Sequence, residues 1–187
     1  MSMSVEYYDD FPVYSTIKEL ITDGAKRGGD KRQFVFKNKN GKEKEKSFSE
    51  VFKDECDLGA FLYSQGLKEK YKIAILSENS YEWNFIYYTI TVGGFLSVPM
   101  DVRLSAEEIA SQLADCGCDA VFYSEENRNK IEYVKNAPGI RIKYYFCIEN
   151  TEDYLRQGRM CDESCLSRFL SAQVKPEDLL SIVYTSG

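Results

Sequence analysis

The chain has 187 residues, of which 43% are hydrophobic and 29% charged, which excludes a disordered polypeptide and suits one domain with its own core. Its net charge of -6 argues against nucleic acid or an anionic membrane surface as the main partner. No apolar run is long enough to cross a bilayer, and the N-terminus lacks the features of a signal peptide, so we expect a cytoplasmic protein.

The chain begins with a predicted helix followed by a predicted hairpin. Apolar residues at helical spacing predict an amphipathic helix over residues 14–27, ended by a pair of glycines. Asn40-Gly41 is typical of a two-residue turn, here between strands over residues 33–36 and 43–48. Because the lysines of this hairpin are interleaved with glutamates, we expect a solvated edge and not a nucleic-acid-binding patch.

After the hairpin, the pattern alternates between strands and helices. Helices are expected over residues 49–65, 81–92, 105–116, 126–135 and 166–172. Strands are expected over residues 72–76, 95–100, 119–123, 141–148 and 179–183. Residues 151–165 have mixed polarity and contain Gly158, which predicts a loop. The alternation predicts the α/β class, with a mostly parallel sheet covered by helices on both faces.

Polar residues follow several of the expected strands. Asn79 and Ser80 follow a strand end, where ligands gather in open α/β sheets, but Ser80 is better explained as a helix cap. Asp101 and Arg103 are expected to shape a loop. The helix over residues 81–92 is apolar nearly all round, so we interpret it as a central helix, with contact to a further domain as the alternative.

Cysteine and histidine usage limits the chemistry of the chain. Histidine is absent, and the six cysteines are Cys56, Cys116, Cys118, Cys147, Cys161 and Cys165. Without histidine, a His-dependent general base or metal ligand is excluded among these residues. The cysteine spacings do not match a zinc site, so we expect reduced thiols and assign no metal ligand and no catalytic residue.

The end of the chain carries the candidate binding residues. An apolar strand runs into Thr185, Ser186 and Gly187. Hydroxyls and backbone N–H groups of such a turn can bind phosphate, and glycine lets the backbone approach it closely. These three residues are therefore the candidate nucleotide-binding group.

Three segments in this order resemble the AMP-forming adenylating enzymes, and most of all the long-chain fatty acyl-CoA synthetases. Residues 72–83 resemble that group's strand–turn–helix V-A-I-L-S-E-N-x-x-E-W, and residues 93–100 resemble its G-A-x-x-V-P. Residues 178–187 resemble the strand that enters the phosphate loop T-S-G-T-T-G-x-P-K-G. The resemblance covers almost the whole chain and implies that residues 1–187 are the N-terminal part of a large adenylation domain.

The resemblance implies a two-step ligase reaction. A small carboxylic acid, by likeness a fatty acid, would attack the α-phosphate of ATP with Mg²⁺ present, and a thiol, usually coenzyme A, would take the acyl group. Thr185, Ser186 and Gly187 would bind the phosphates. The rest of the phosphate loop, the acyl tunnel and the lid with its catalytic lysine are not among these residues, so the isolated chain is expected to be inactive. An exposed sheet edge is expected to favour self-association.

Two other interpretations are open. The chain could be a short, non-catalytic α/β protein that keeps the fold for binding or assembly, and the codons after Gly187 would separate that interpretation from the ligase. A flavodoxin-like or Rossmann nucleotide binder is disfavoured, because the turn over residues 77–80 contains no glycine.

Overall fold

The computed structural model describes residues 12–38 and 41–185. Those residues form a two-stranded antiparallel hairpin, a four-stranded parallel sheet and seven α-helices. The strands are β1 (Arg32–Lys37), β2 (Glu43–Ser47), β3 (Lys72–Leu76), β4 (Leu96–Pro99), β5 (Ala120–Tyr123) and β6 (Tyr144–Cys147). The helices are α1 (Ile17–Gly28), α2 (Phe48–Ser64), α3 (Tyr81–Val92), α4 (Ala106–Cys116), α5 (Arg128–Asn136), α6 (Thr151–Met160) and α7 (Glu163–Ser171). The predicted α/β class is confirmed.

The parallel sheet has the strand order β4-β3-β5-β6, so the chain reverses its winding direction between β3 and β5. Ala74 of β3 pairs with Val98 of β4 on one side and with Val121 of β5 on the other. Because β3 lies inside the sheet and helices cover both faces, Ile73 and the three residues after it are fully buried.

The alternation of side chains along the strands creates two separate cores. Ile73 and Ile75 point to one face and contribute to a large aromatic core with residues of α2, α3, α6 and α7. Ala74 and Leu76 point to the other face, where α4 and α5 supply the packing residues. Helices therefore lie on both faces of the sheet, as the sequence predicts.

Helix α3 is enclosed by its neighbours, in agreement with the interpretation of residues 81–92 as a central helix. Phe85 and Ile86 are buried, and the helix contacts α1, α2, β3 and β4. Ser80 caps it, because its hydroxyl oxygen accepts a hydrogen bond from the backbone N–H of Trp83 at 3.1 Å. The capping explanation for Ser80 is confirmed.

Helix α2 begins earlier than the sequence interpretation placed it. Its N-cap is Ser47, whose hydroxyl accepts from the N–H of Glu50, while the Glu50 carboxylate accepts from the N–H of Ser47 at 2.8 Å. This capping box starts the helix at Phe48 and ends β2 at Ser47.

The predicted loop over residues 151–165 is wrong. Residues Thr151–Met160 form α6, and α7 begins at Glu163. Gly158 suggested a loop, but it is the point at which α6 meets α2. A Cβ atom at this position would lie 1.8 Å from the carbonyl oxygen of Asp57. Glycine is present here because the two helix backbones approach so closely, and not because the chain turns.

Candidate functional site

The segment of residues 179–185, here the terminal segment, lies along the outer edge of β4. The N–H of Ser97 donates to the carbonyl of Leu180 at 3.1 Å, and the N–H of Ile182 donates to the carbonyl of Ser97 at 2.8 Å. These bonds form a single parallel bridge between Ser97 and Ser181. The predicted strand over residues 179–183 is therefore reduced to one bridge.

The alternation of side chains explains why the terminal segment pairs so little. Ile182 packs against the core beneath the sheet, whereas Leu179 and Val183 are 77% and 67% exposed. An apolar strand needs cover on both faces to be buried, and the described part of the chain covers only one face here. The sequence pattern predicted a buried strand because both sets of side chains are apolar.

Tyr184 anchors the terminal segment to the end of α4. Its hydroxyl lies 2.8 Å from a carboxylate oxygen of Asp115 and 3.0 Å from the carbonyl of Gln112, so its one proton is shared between these two acceptors. Burial, followed by the nearby Asp115 carboxylate, raises the pKa of the Tyr184 phenol, so the group stays protonated at neutral pH. The residue directly before the candidate phosphate-binding group is thus fixed by its side chain.

Of the three candidate nucleotide-binding residues, only Thr185 falls within the described residues. It is exposed at the end of the anchored segment, so its hydroxyl is accessible to a ligand. Ser186 and Gly187 lie outside the described residues.

A cavity of about 470 Å³ lies beside the start of the terminal segment. It is lined by residues 15–17, Lys70, Thr91, residues 94–96 and residues 173–180. Next to the lining residue Ile17, the ammonium group of Lys18 donates to the carbonyls of Leu170 and Ala172 at 2.9 and 2.7 Å and so ties the start of α1 to the end of α7. Thr185 is not among the lining residues, so the structure does not bring this cavity and the candidate phosphate-binding group together.

The carboxyl ends of β3 and β5 flank the position where the winding of the sheet reverses, which is the usual ligand crevice of such folds. The side-chain amide of Asn127 donates to Glu78 at 2.9 Å and to the hydroxyl of Ser124 at 2.8 Å. These bonds link the two strand ends directly. The polar side chains at this crevice are therefore bonded to one another.

Asp101 and Arg103 satisfy each other in the loop after β4, as expected for a structural pair. The guanidinium of Arg103 donates to the Asp101 carboxylate at 2.6 to 3.1 Å and lowers the pKa of that carboxyl to about 2. Because the charges are paired within the loop, these residues shape the loop.

Within residues 12–38 and 41–185, one group of side chains has the spacing of metal ligands, namely Glu125, Cys147 and Glu149. Burial and then a hydrogen bond to Glu149 raise the pKa of the Cys147 thiol to about 11. Mg²⁺ prefers oxygen ligands in an octahedral arrangement, and a protonated thiol is a poor ligand for it. This group does not fit the Mg²⁺ that the resemblance implies.

A buried carboxylate pair on α2 was not predicted from the sequence. Asp54 accepts from the ammonium of Lys46 at 2.7 Å and from the hydroxyl of Tyr81 at 2.6 Å. Its neighbour Glu55 is 1% exposed and has a carboxylate oxygen without a hydrogen-bond partner. Burial and then the Asp54 charge raise the pKa of Glu55 to about 8. The sequence did indicate that Glu55 is buried, because this residue lies at helical spacing from Val51 on the apolar face of α2.

Comparison with known proteins gives the family of the chain. The family model described as AMP-binding enzyme matches residues 21–187. The chain therefore belongs to the AMP-binding enzyme family, and the resemblance noted in the sequence is confirmed. None of the described helices has the length and apolar character needed to span a membrane.

Individual relatives are distant and much longer than this chain. The long-chain-fatty-acid–CoA ligase FadD13 of Mycobacterium tuberculosis is 26% identical over 129 residues, which cover 67% of this chain and 24% of the ligase. A long-chain-fatty-acid–CoA ligase of Bacillus subtilis is 27% identical over 115 residues, 59% of this chain and 20% of that protein. The chain thus spans about a quarter of the length of these relatives.

The fold agrees with a solved member of the same group. The structure of a Mycobacterium tuberculosis fatty acyl CoA synthetase superposes with a TM-score of 0.76 and 19% sequence identity. The superposition covers 92% of this chain and 33% of the synthetase. At this identity the similarity shows the shared fold.

Proposed function

We propose that this chain is the N-terminal part of the large adenylation domain of an ATP-dependent ligase that joins a fatty acid to coenzyme A. The observation that carries the proposal is the family match, which extends through residues 178–187, the segment that resembles the entry to the phosphate loop. The anchored position of Tyr184 supports it, because a phosphate-binding turn needs a fixed starting point.

The proposed chemistry brings one anion onto another. A carboxylate attacks the α-phosphate of ATP, pyrophosphate leaves, and an acyl-adenylate forms, so negative charge accumulates at the phosphates. The hydroxyls of Thr185 and Ser186 would donate to phosphate oxygens, and the N–H of Gly187 would approach them closely. Mg²⁺ would supply additional charge neutralisation, and we assign it no ligand among the described residues.

The isolated chain is proposed to be inactive and to belong to a cytoplasmic enzyme. It spans about a quarter of the length of the curated ligases, and we assign no catalytic residue to it. When the chain is incubated with a fatty acid, ATP, Mg²⁺ and coenzyme A, we expect no carboxylate-dependent release of AMP. Measurable release by the purified 187-residue chain would contradict this part of the proposal.

The ligase proposal itself is tested on the product of the complete gene, once the codons on both sides of these residues have been read. We expect AMP formation that requires a fatty acid and coenzyme A. In that protein Thr185→Val and Ser186→Ala should each lower kcat/KM for ATP by roughly 10- to 100-fold, because each removes a hydrogen bond to a charged group. Ser171→Ala, at the end of α7, is the matched control and should leave kcat/KM for ATP unchanged.

Failure of the complete gene product to form AMP with any carboxylic acid would reject the ligase proposal. The same result, together with a stop codon after Gly187, would favour the non-catalytic α/β protein that keeps the fold for binding or assembly.

Self-association of the isolated chain is a separate part of the proposal. Within the described residues β6 pairs with β5 alone, and Leu179 and Val183 present exposed apolar surface beside β4. Sedimentation velocity should therefore show a weight-average mass that rises with protein concentration. A single monomeric species across the whole concentration range would reject the proposed self-association.

A further inference from the structure

Two thiols lie in contact beneath the terminal segment. Cys116 is the last residue of α4, and Cys118 follows it after one glycine. Their sulfur atoms are 3.2 Å apart, and the two residues are 6% and 0% exposed. This contact lies outside the candidate phosphate-binding group and is not needed for the proposed adenylation chemistry.

The geometry of the helix end brings these thiols together. Gly117 has φ 64° and ψ 50°, the left-handed conformation that glycine adopts at helix ends without strain. The chain reverses there, and the N–H of Cys118 donates back to the carbonyl of Leu113 at 3.2 Å. The reversal holds the Cys118 side chain against that of Cys116, so the two sulfur atoms are held in contact by the backbone.

We propose that Cys116 and Cys118 are a redox-active dithiol that a peroxide converts into a disulfide. In the first step the Cys116 thiolate attacks one oxygen of hydrogen peroxide, the O–O bond breaks, and a sulfenic acid forms. The hydroxide that leaves takes up the proton that Cys116 lost on ionisation and becomes water. In the second step the Cys118 sulfur attacks the Cys116 sulfur, the S–O bond breaks, and the Cys118 proton leaves with the second water. The dithiol loses two electrons, and the peroxide is reduced to two molecules of water.

The surroundings identify Cys116 as the attacking sulfur. The Cys118 thiol donates to it, which together with the Tyr184 hydroxyl and the charge of Lys72 outweighs its burial and lowers the pKa of Cys116 to about 7. Lys72 is held nearby, because its ammonium donates to the Cys116 carbonyl at 2.5 Å. The contact with Cys116 and burial raise the pKa of Cys118, so it stays protonated and acts second.

Other cysteines of the chain have the opposite environment. Burial raises the pKa of Cys56 to about 12 and that of Cys147 to about 11. Neither thiol forms a thiolate near neutral pH, so a peroxide should not react with them at a comparable rate. The reaction should therefore favour Cys116 over Cys56 and Cys147.

The dithiol is connected to the terminal segment through Tyr184, whose hydroxyl faces both Asp115 and the Cys116 sulfur. Oxidation removes the Cys116 thiolate and moves its sulfur toward Cys118. We expect Tyr184 to be held less firmly as a result. That oxidation would weaken phosphate binding rests on the proposed function. Formation of the disulfide does not depend on it.

The experiment treats the 187-residue chain with a small excess of hydrogen peroxide, alkylates the remaining thiols under denaturing conditions, and maps tryptic peptides. Cleavage after Arg103 and Arg128 places both cysteines in one peptide without any other cysteine. We expect this peptide to be lighter by two hydrogens and unalkylated, and to regain two alkyl groups when a reductant is added first. Cys56 and Cys147 should stay fully alkylated, and the peptide of residues 160–168 reports the Cys161 and Cys165 pair separately.

Two variants test the order of attack. In Cys118→Ser, the sulfenic acid at Cys116 should persist and react with a dimedone probe, whereas Cys116→Ser should lose peroxide reactivity at this site. Full alkylation of both cysteines after peroxide treatment, or a sulfinic acid at Cys116 without a disulfide, would overturn the proposal. The wild-type map decides the matter by itself if either variant fails to fold.

Deuterium exchange of the oxidised and reduced chain tests the connection to the terminal segment. Peptides covering residues 179–185 should exchange at least several-fold faster after oxidation, with β3 unchanged. Equal exchange rates in the oxidised and reduced chain would reject the connection to the terminal segment and leave only the formation of the disulfide. Loss of the disulfide would leave the ligase proposal intact, because the two are tested by different readouts.

Discussion

The parallel sheet and the terminal segment are built from similar apolar sequences but have opposite surroundings. The residues of β3 after Lys72 are fully buried between two other strands and two helix layers. The terminal segment touches the sheet through one bridge at Ser97 and keeps Leu179 and Val183 exposed. The difference lies in the number of neighbours and not in the hydrophobicity of the residues.

This difference separates what holds the fold from what is proposed to bind the substrate. The fully buried apolar residues belong to the sheet, its helices and their connections, and only Ile182 and Tyr184 of the terminal segment pack against them. The segment that leads to the phosphate-binding group depends on two backbone hydrogen bonds and on Tyr184. Phosphate-binding loops need backbone groups that are exposed to the ligand, so a segment that is anchored at Tyr184 but makes few backbone bonds to the sheet suits that task.

The largest expected effect comes from comparing a substitution in the parallel sheet with one in the terminal segment. Phe122 in β5 is fully buried, and its ring centroid lies 4.9 Å from that of Phe146. Phe122→Ala should lower the free energy of unfolding by about 3–5 kcal/mol, because it leaves a cavity in the aromatic core. Val183→Ala, at 67% exposure, should change it by less than about 0.5 kcal/mol. Urea denaturation followed by circular dichroism measures both, and equal losses would contradict the comparison.

The second-largest effect concerns the buried carboxyl of Glu55 in α2. Burial raises the pKa of Glu55 from 4.5 to about 8, so the folded state keeps a proton that the unfolded state releases above pH 4.5. The stability that this group contributes is fully present below pH 4.5 and is lost as the pH rises to about 8. Between pH 5 and pH 8 the loss should be on the order of 3 kcal/mol.

Glu55→Gln should remove this dependence, because the amide does not titrate. The exposed Glu107→Gln is the matched control and should leave the pH profile of unfolding as it is in the wild type. If the wild type and the Glu55→Gln variant lose stability in parallel between pH 5 and pH 8, the buried carboxyl is not the cause.

The third effect tests the contact that the sequence interpretation missed. Gly158→Ala would place a Cβ atom 1.8 Å from the Asp57 carbonyl oxygen and force α6 away from α2. We expect a loss of about 2–3 kcal/mol in the free energy of unfolding. Gly24→Ala in α1 is the matched control, because its Cβ would meet no atom within 4 Å. It should raise stability by up to about 1 kcal/mol. A gain in stability in both variants would show that helix propensity and not the contact with Asp57 decides the effect.

The sequence predicted most strands and helices well, because hydrophobic periodicity and helix capping are local signals. The bounds of β3 and α3 match their predictions, and α4, predicted over residues 105–116, spans Ala106–Cys116 after its N-cap Ser105. The α6 helix was missed because a glycine inside a helix has the same appearance as a glycine in a turn. Only the tertiary contact of Gly158 with Asp57 distinguishes them.

The candidate site could be predicted only in part, for a related reason. The family motif located Thr185 from the sequence, because a motif is also a local signal. The anchoring of Tyr184 by Asp115 joins residues that are 69 positions apart, and Glu55 lies beside residues of α1 and β1. The contact of Tyr184 leaves little trace in local sequence patterns, whereas the helical spacing of Glu55 from Val51 indicates its apolar face but not the residues that cover it.

The smallest effect tests how the terminal segment is held. Tyr184→Phe removes the hydroxyl that donates to Asp115 and Gln112 but keeps the ring. The exposed Asp115 carboxylate can be solvated instead, so the free energy of unfolding should fall by only about 0.5–1 kcal/mol. Local opening should change more, and deuterium exchange at Ile182, whose N–H donates to Ser97, should become several-fold faster. Tyr133→Phe, at 45% exposure in α5, is the matched control. If Ile182 exchanges at the wild-type rate in Tyr184→Phe, the bridge to Ser97 holds the segment by itself and the anchor is not needed.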